Sequence, residues 1–472
     1  MVLNMKKKIG LLLSFAFGAV TVLAFSSCAA NGSKVHYPSP PYKAKVQWMD
    51  ASIAGDVSKW DTLYSHDPSI FKDSNGRYYV YSTDVGAAAG VGVQIKKSSD
   101  LIHWKYLGHA LEQVPQEALN WASPSNLWAP DIIKVGDTYR LYYAASSFGS
   151  QKSVIMLAES KSPEGPFTDK GIVLKSDTGD ECNAIDPDIT VDTKGNQYMV
   201  YGSFWGGIYI IRLDKATGKP AEQGFGLNIA SRAISVSGAV EGPYIRYNSR
   251  TGYYYLFVSY GSLSSDYNVR VGRSKNIMGP YFDYNGNDMT DTVSDPNSIG
   301  YKLTTGYQFK TGQGWMALGH NSVLDDNGTW YYVSHARPLN NPDWPYLQVR
   351  KMEWSDDGWP LVSPELYAGE KDQTIKADAI PGKYERIQFV NDTIKLGETS
   401  TVMVFDSNET CKIGNKNATW KITGQNTLVV KYGSETESYK VIPSWDWENW
   451  CTTLSLTGKN IKGLCVWGKK IK

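Results

Sequence analysis

The chain of 472 residues carries 48 Lys and Arg against 47 Asp and Glu, a formal charge of +1, and 42% of it is hydrophobic. That length allows two or three domains, and the apolar content excludes a wholly disordered chain. No basic stripe lies beyond the first residues, so nucleic acid is not an expected partner.

The chain opens on Lys6, Lys7 and Lys8, an apolar run from Ile9 to Phe25, and then Ser26, Ser27 and Cys28. This is the order of an export signal over residues 1–27. The apolar run is interrupted by Ser and Gly and is short for a membrane span, so cleavage is expected rather than a spanning anchor. Cys28 resembles the acylated acceptor of bacterial lipoproteins. It implies an exported protein, periplasmic or on the cell surface, that meets the membrane only through a lipid anchor. Removing residues 1–27 takes away three Lys and no acid, which leaves 45 basic against 47 acidic residues. Residues 28–43, with three prolines, read as an extended tether. Of the remaining cysteines, Cys182, Cys411, Cys451 and Cys465, three fall near the C-terminus, where export would allow a disulfide.

From residue 44 to about 370 one pattern recurs five times: a polar start near a Pro, an apolar residue, a Gly turn and an aromatic run. The copies begin at His66-Asp-Pro, Ala129-Pro-Asp, Ile185-Asp-Pro, Glu241-Gly-Pro and Gly319-His-Asn. Asn-Gly and Asp/Gly turns between β-branched and aromatic stretches make each copy a hairpin. A further strand follows each one, as in Gly92-Val-Gln-Ile and Asn268-Val-Arg-Val. About four short strands per repeat predict an all-β fold, a five-bladed β-propeller. Residues 371–472 leave the repeat and alternate over Lys383–Val390, Thr401–Phe405, Thr427–Lys431 and Tyr439–Pro443. They predict a smaller C-terminal β-barrel or sandwich, in which Trp445, Trp447 and Trp450 form either a sugar platform or a satellite core.

The innermost strand of every blade lines the central channel, and the repeat places Asp67, Asp131, Asp186 and Glu241 at equivalent starts. Like charges gathered in a desolvated funnel are costly unless they do chemistry. Glycoside hydrolysis needs a protonated acid for the leaving oxygen and an ionised base for water. Glu241 reads as the acid, Asp67 as the base, and Asp186 as the group that tunes the acid.

These residues, with Trp128-Ala-Pro-Asp131, Asn183-Ala-Ile-Asp-Pro187, Gly202-Ser-Phe-Trp205 and Gly319-His-Asn-Ser322, resemble family 43 of the glycoside hydrolases. The resemblance is nearest to the two-domain endo-α-1,5-L-arabinanases and covers about residues 60 to 365. It implies an inverting enzyme with Asp67 as general base, Asp186 as pKa modulator and Glu241 as general acid. It also implies sugar contacts at Phe148, Gly149, Asn183, Ala184, Ile185, Ser203, Phe204 and Trp205. His320 would face a calcium ion in the channel, although calcium prefers oxygen donors. Asp131 would have a structural or binding part. The expected partner is arabinan or its oligosaccharides, and the expected state is a monomer. An exo-acting arabinofuranosidase or xylosidase of the same fold is the alternative. A non-catalytic sugar-binding propeller would be expected to lack one of the three acids, and all three are present.

Overall fold

The hairpins form where the turn chemistry asks for them. In the first blade Asp73 Oδ1 accepts the Asn75 and Arg77 N–H groups, both at 2.8 Å, and Gly76 takes φ +75°. That closes the turn between His66–Lys72 and Tyr78–Thr83. Asp192 repeats the device on Lys194 and Asn196 in the third blade. The computed structural model describes residues 35–84 and 90–471. The export signal and the Cys28 acceptor lie outside the described residues.

Five sheets make the propeller, their blade strands antiparallel and in chain order, and the fifth also carries a short parallel strand, Glu398–Thr399, at one edge. Their innermost strands are His66–Lys72, Trp128–Val135, Asp188–Val191, Val240–Asn248 and Trp315–Asp326. Nearly every one takes an extra residue close to its start. His66 faces Thr83 and Ser69 faces Tyr81, three steps against two, and the same count recurs in the second, fourth and fifth blades. Such a bulge bends the strand and re-aims its side chains. The residue inside it is left-handed throughout: Asp67, Ala129, Gly242 and His320, with Asp186 alike just before the third blade's strand, all at φ between +41° and +58°. Pro68, Pro130, Pro187 and Pro243 follow four of them, where a missing N–H costs the ladder nothing.

Two residues further on, Ser69, Asp131, Asp188, Tyr244 and Ser322 tie the blades into a ring. Ser69 Oγ donates to Asp131 Oδ1 at 2.5 Å, and Asp131 Oδ2 accepts the Ile189 N–H at 2.8 Å. Asp188 Oδ2 accepts the Ile245 N–H at 2.8 Å, the Tyr244 hydroxyl donates to Val323 O at 3.4 Å, and Ser322 Oγ accepts the Ile70 N–H at 3.1 Å. This register corrects the reading of four equivalent acids. Asp131 follows its Pro rather than preceding it, so it aligns with Asp188. The second blade's left-handed place belongs to Ala129, and Glu241 stands one residue before that place in the fourth.

Eight strands from Gly382–Gln388 to Cys465–Ile471 close on each other as a barrel, which resolves the choice between barrel and sandwich. Ile387, Phe389, Cys465 and Trp467 share one apolar cluster with Tyr301, Tyr307 and Trp359 of the propeller. Beside it the Lys469 ammonium lies 3.2 Å from Glu365, 3.3 Å from Asp446 and 3.1 Å from Glu448, all buried. Trp445 and Trp447 are buried against Ala368, with Trp450 packed on them edge to face. They form a satellite core, not a platform. Cys182, Cys411 and Cys465 are unbridged and sit in three separate clusters. The stretch expected as a free tether is docked from Val35 onward: His36 N donates to Gln373 Oε1 at 2.9 Å, and the Tyr42 hydroxyl to Asp61 Oδ2 at 2.6 Å.

Asp131→Ala removes the acceptor that joins three blades and strands the Ile189 N–H and the Ser69 hydroxyl. It is expected to cost about 2 kcal/mol in urea unfolding, with the turnover of the folded fraction changed less than about tenfold, since Asp131 bonds the ring beneath the channel mouth.

Candidate active site

Two bulges aim Asp67 and His320, and the left-handed backbone before the third blade's strand aims Asp186, with Glu241 beside its left-handed Gly242, into one pocket of about 400 Å³. Asn183, Ile185, Ser203 and Phe204 line it too, and Phe148, Gly149 and Trp205 stand at its rim. Phe148 is 96% exposed and Trp205 46%, so both present apolar faces to solvent. Asn183 is buried, and its Oδ1 has no protein partner among the described residues. Ala184 is not brought into the pocket: it is fully buried behind Asn183, its N–H given to Ser176 Oγ at 2.9 Å.

Asp67 is held from four sides. Its Oδ2 accepts from Thr83 Oγ1 at 2.6 Å and from His66 Nδ1 at 2.8 Å, and its Oδ1 lies 3.0 Å from His320 Nδ1. Burial alone would raise this carboxyl, but the His320 and His66 imidazoles outweigh burial and hold it well below the usual range. For His320 the balance reverses: burial pushes it down, and Asp67 and then Asp186 lift it to about 9. His335 closes the fourth side from below, its Nδ1 accepting the Asp67 N–H at 3.2 Å. Burial keeps His335 neutral, so its 3.7 Å approach to Oδ1 is no ion pair. Its ring stacks on His66 at 4.1 Å.

The other two acids are set apart from Asp67. Asp186 accepts the Gly242 N–H at 3.1 Å on Oδ2. Burial raises it to about 7, with Glu241 and Asp67 adding to the rise against His320. Glu241 is capped on both oxygens, by Ser203 Oγ at 3.0 Å and the Tyr267 hydroxyl at 2.7 Å. The pocket therefore holds one firmly ionised carboxylate, one carboxyl that keeps its proton near neutrality, and one that is oriented by two hydroxyls. That is equipment for general acid–base chemistry.

Residues 62–360 match the model of glycosyl hydrolases family 43, and residues 364–468 match that of the C-terminal lipocalin-like domain. The chain belongs to family 43. It is 33% identical over 447 residues to the extracellular endo-α-(1→5)-L-arabinanase 2 of Bacillus subtilis (strain 168), covering 86% of this chain and 92% of that one. It is 35% identical over 371 residues to an extracellular exo-α-(1→5)-L-arabinofuranosidase of Cellvibrio japonicus (strain Ueda107), covering 72% of this chain and 99% of that one. The crystal structure of an endo-1,5-α-L-arabinanase from Thermotoga petrophila RKU-1 superposes with a TM-score of 0.78 at 29% identity, covering 88% of this chain and 99% of that one.

Sequence reasoning missed Thr83 and Arg337, which line this family 43 pocket, and Tyr267 and His335, which hold Glu241 and Asp67 from behind it. Three residues facing a bulge from the second strand share one task. Thr83, Ser259 and His335 accept the N–H of the left-handed residue in the following blade, from Ala129, His320 and Asp67 respectively. A polar residue recurring near the end of the second strand in three of the five blades was the available signal. Arg337 lines the pocket two residues beyond His335 and carried none.

Asp186 is raised on folding, so the folded state keeps a proton that the unfolded chain releases between about pH 4 and 7. The contribution of Asp186 to stability falls as pH rises through that window and then levels off. Asp186→Asn removes the penalty while keeping an acceptor for the Gly242 N–H. It is expected to abolish turnover yet melt several degrees above the parent at pH 8, with little difference at pH 4, as read by thermal unfolding at both pH values.

Proposed function

We propose that this family 43 hydrolase is an endo-α-1,5-L-arabinanase that inverts the anomeric centre. Asp67 is the general base, Glu241 the general acid and Asp186 the group that modulates the acid. The observation that carries the reading is the pairing, in one open pocket, of an ionised Asp67 with a hydroxyl-oriented Glu241. Inversion leaves room for a water between base and acid and asks for a carboxyl separation of roughly 6.5–9.5 Å. Glu241 adds to the rise of Asp186, so the modulator and the acid lie in one electrostatic field. Exposed Phe148 and Trp205 on the rim support a chain lying across the acids rather than one end buried in a pocket, with Asn183 and Ser203 to Trp205 as sugar contacts. The match to endo-acting relatives over both domains points the same way.

Incubation with debranched arabinan, followed by product sizing and proton NMR of the first-formed sugar, tests this. A ladder of mixed oligosaccharides with a rapid fall in viscosity and inverted product is expected. Release of arabinose alone would favour the exo-acting alternative, and retention would overturn the roles of Asp67 and Glu241.

Calcium is proposed as a ligand of His320. The His320 Nδ1 faces Asp67, so Nε2 is the nitrogen on the pocket side, and it would hold a cation on giving up the Nε2 proton of the imidazolium, the arrangement of a carboxylate-oriented metal ligand. The three acids supply a negative field, and water would complete the oxygen-rich shell calcium requires. A bound cation would add positive charge beside the acids and fix the His320 proton on Nδ1. Chelation followed by metal analysis is expected to lower turnover and the melting temperature together, with calcium restoring both; full activity in metal-free protein would remove the ion from the reading. We further propose export of a monomer tethered by lipid at Cys28, which suits an enzyme that meets long polymers outside the cytoplasm.

A further inference from the structure

The barrel sends one long loop back to the propeller. Between Gly382–Gln388 and Thr401–Phe405 it runs along the fourth and fifth blades. Asn391 O accepts from Arg270 Nη2 at 2.7 Å, and Asp392 O from Lys302 Nζ at 2.9 Å. Glu398–Thr399 pairs in parallel with Tyr307–Gln308. Gly397 lies so close to Gly306 that any side chain there would strike its backbone. At the tip the Leu396 N–H donates to Ser265 O at 3.0 Å.

Ser265 belongs to a tight turn that leads into the active site. Ser262 O accepts the N–H groups of Ser265, Asp266 and Tyr267, and Asp266 Oδ1 caps the Ser262 N–H at 3.0 Å. Leu263 on this turn lines the pocket, and Tyr267 at its end gives its hydroxyl to Glu241 Oε1 at 2.7 Å. The Tyr267 ring is wedged in place: it stacks on His335 at 5.9 Å, and Gly319 has no side chain because one would collide with it.

We infer that the barrel loop is a clamp on the Ser262–Tyr267 turn, and that through Tyr267 it positions the carboxyl of Glu241. Tyr267 is a positioning residue, and the second domain is a part of the catalytic apparatus rather than an appendage. The inference rests on Glu241 being the general acid. A carboxyl swung away from the leaving oxygen loses most where the leaving group needs a proton, and least where it does not.

Tyr267→Phe keeps the ring and removes the hydroxyl. Gly397→Ala pushes the loop off the fifth blade, and Lys302→Met releases it near Asp392 without altering the loop itself. Each is compared with the parent on debranched arabinan and on an aryl arabinofuranoside with a good leaving group, and the 262–267 amides are followed by hydrogen exchange in the full chain. The expected result is a loss of roughly 10-fold or more in kcat on arabinan for Tyr267→Phe, with the aryl substrate changed about 3-fold or less. Gly397→Ala or Lys302→Met should shift the same ratio in the same direction and speed exchange in the turn. A folded Gly397→Ala and a folded Lys302→Met that both keep the parent's ratio and protection would overturn the clamp. Equal losses on both substrates for Tyr267→Phe would overturn the positioning role. A parent enzyme inactive on every arabinofuranoside would instead overturn the functional reading, while exchange in the turn would still report whether the loop holds it.

Discussion

The left-handed residue at the head of each innermost strand is the constraint on which the site depends. An L-residue at φ near +50° is costly, though less so for Asp, Asn and His than for other side chains, and Asp67, Asp186 and His320 all adopt it. The strain is sustained because the N–H that the bulge turns aside is taken up by another blade: His335 accepts it from Asp67, and Ser259 from His320. Each functional side chain is therefore fixed by its own strand's defect and by its neighbour's second strand. The propeller repeats the left-handed residue in all five blades and this N–H capture in three, from Asp67, Ala129 and His320, which is why one fold element can deliver two acids and an imidazole to one mouth.

The charges follow from that convergence. Three carboxyls and His320 share one funnel, and the imidazole cannot serve all of them at short range. It lies against Asp67, 3.0 Å away, and His66 adds a second contact. Asp67 is therefore the acid that ionises, and Asp186, bonded to a backbone N–H, is the one burial pushes up. The difference between Asp67 and Asp186 is thus a consequence of which acid the histidines reach, more than of burial, which the two share.

Much of this was legible in the residues. Hairpin turns and aromatic runs announced five blades, and Asp67, Asp186, Glu241 and His320 stood out at their starts. The register did not. Aligning the copies on their acidic residues put Asp131 among them, whereas the bulge counts from the Pro, and only strand pairing reveals that count. Thr83, Ser259 and His335 act on a residue in the next blade, so no local window contains both partners. Barrel closure was equally hidden, since Lys383 to Ile471 pairing is a contact between the two ends of the domain. Trp445 and Trp447 could not be told from a sugar platform because a core aromatic and a binding aromatic have the same composition and differ only in what covers them.

The junction between the domains is built to be permanent. Lys469 is fully buried and faces three carboxyls, two of its own domain and one, Glu365, from the segment that leaves the propeller. Those acids raise the ammonium's pKa above its usual value against the pull of burial, while burial lifts Glu365 to about 8, so a proton stays on Glu365 and the cluster avoids carrying all four charges. Removing either side would leave buried charge without a partner, which costs more than the pair itself contributes. Around it, Tyr307 and Trp467 meet edge to face at 5.1 Å, and Arg350 Nη2 donates to the Tyr307 hydroxyl at 2.9 Å. An interface of this kind does not hinge, so whatever the barrel loop holds is held in a fixed frame. Rigidity is what a general acid requires, because its proton must arrive at one oxygen along one line. The second domain supplies that rigidity to the fourth blade at Leu396, whose N–H is given to Ser265 O of the Ser262–Tyr267 turn.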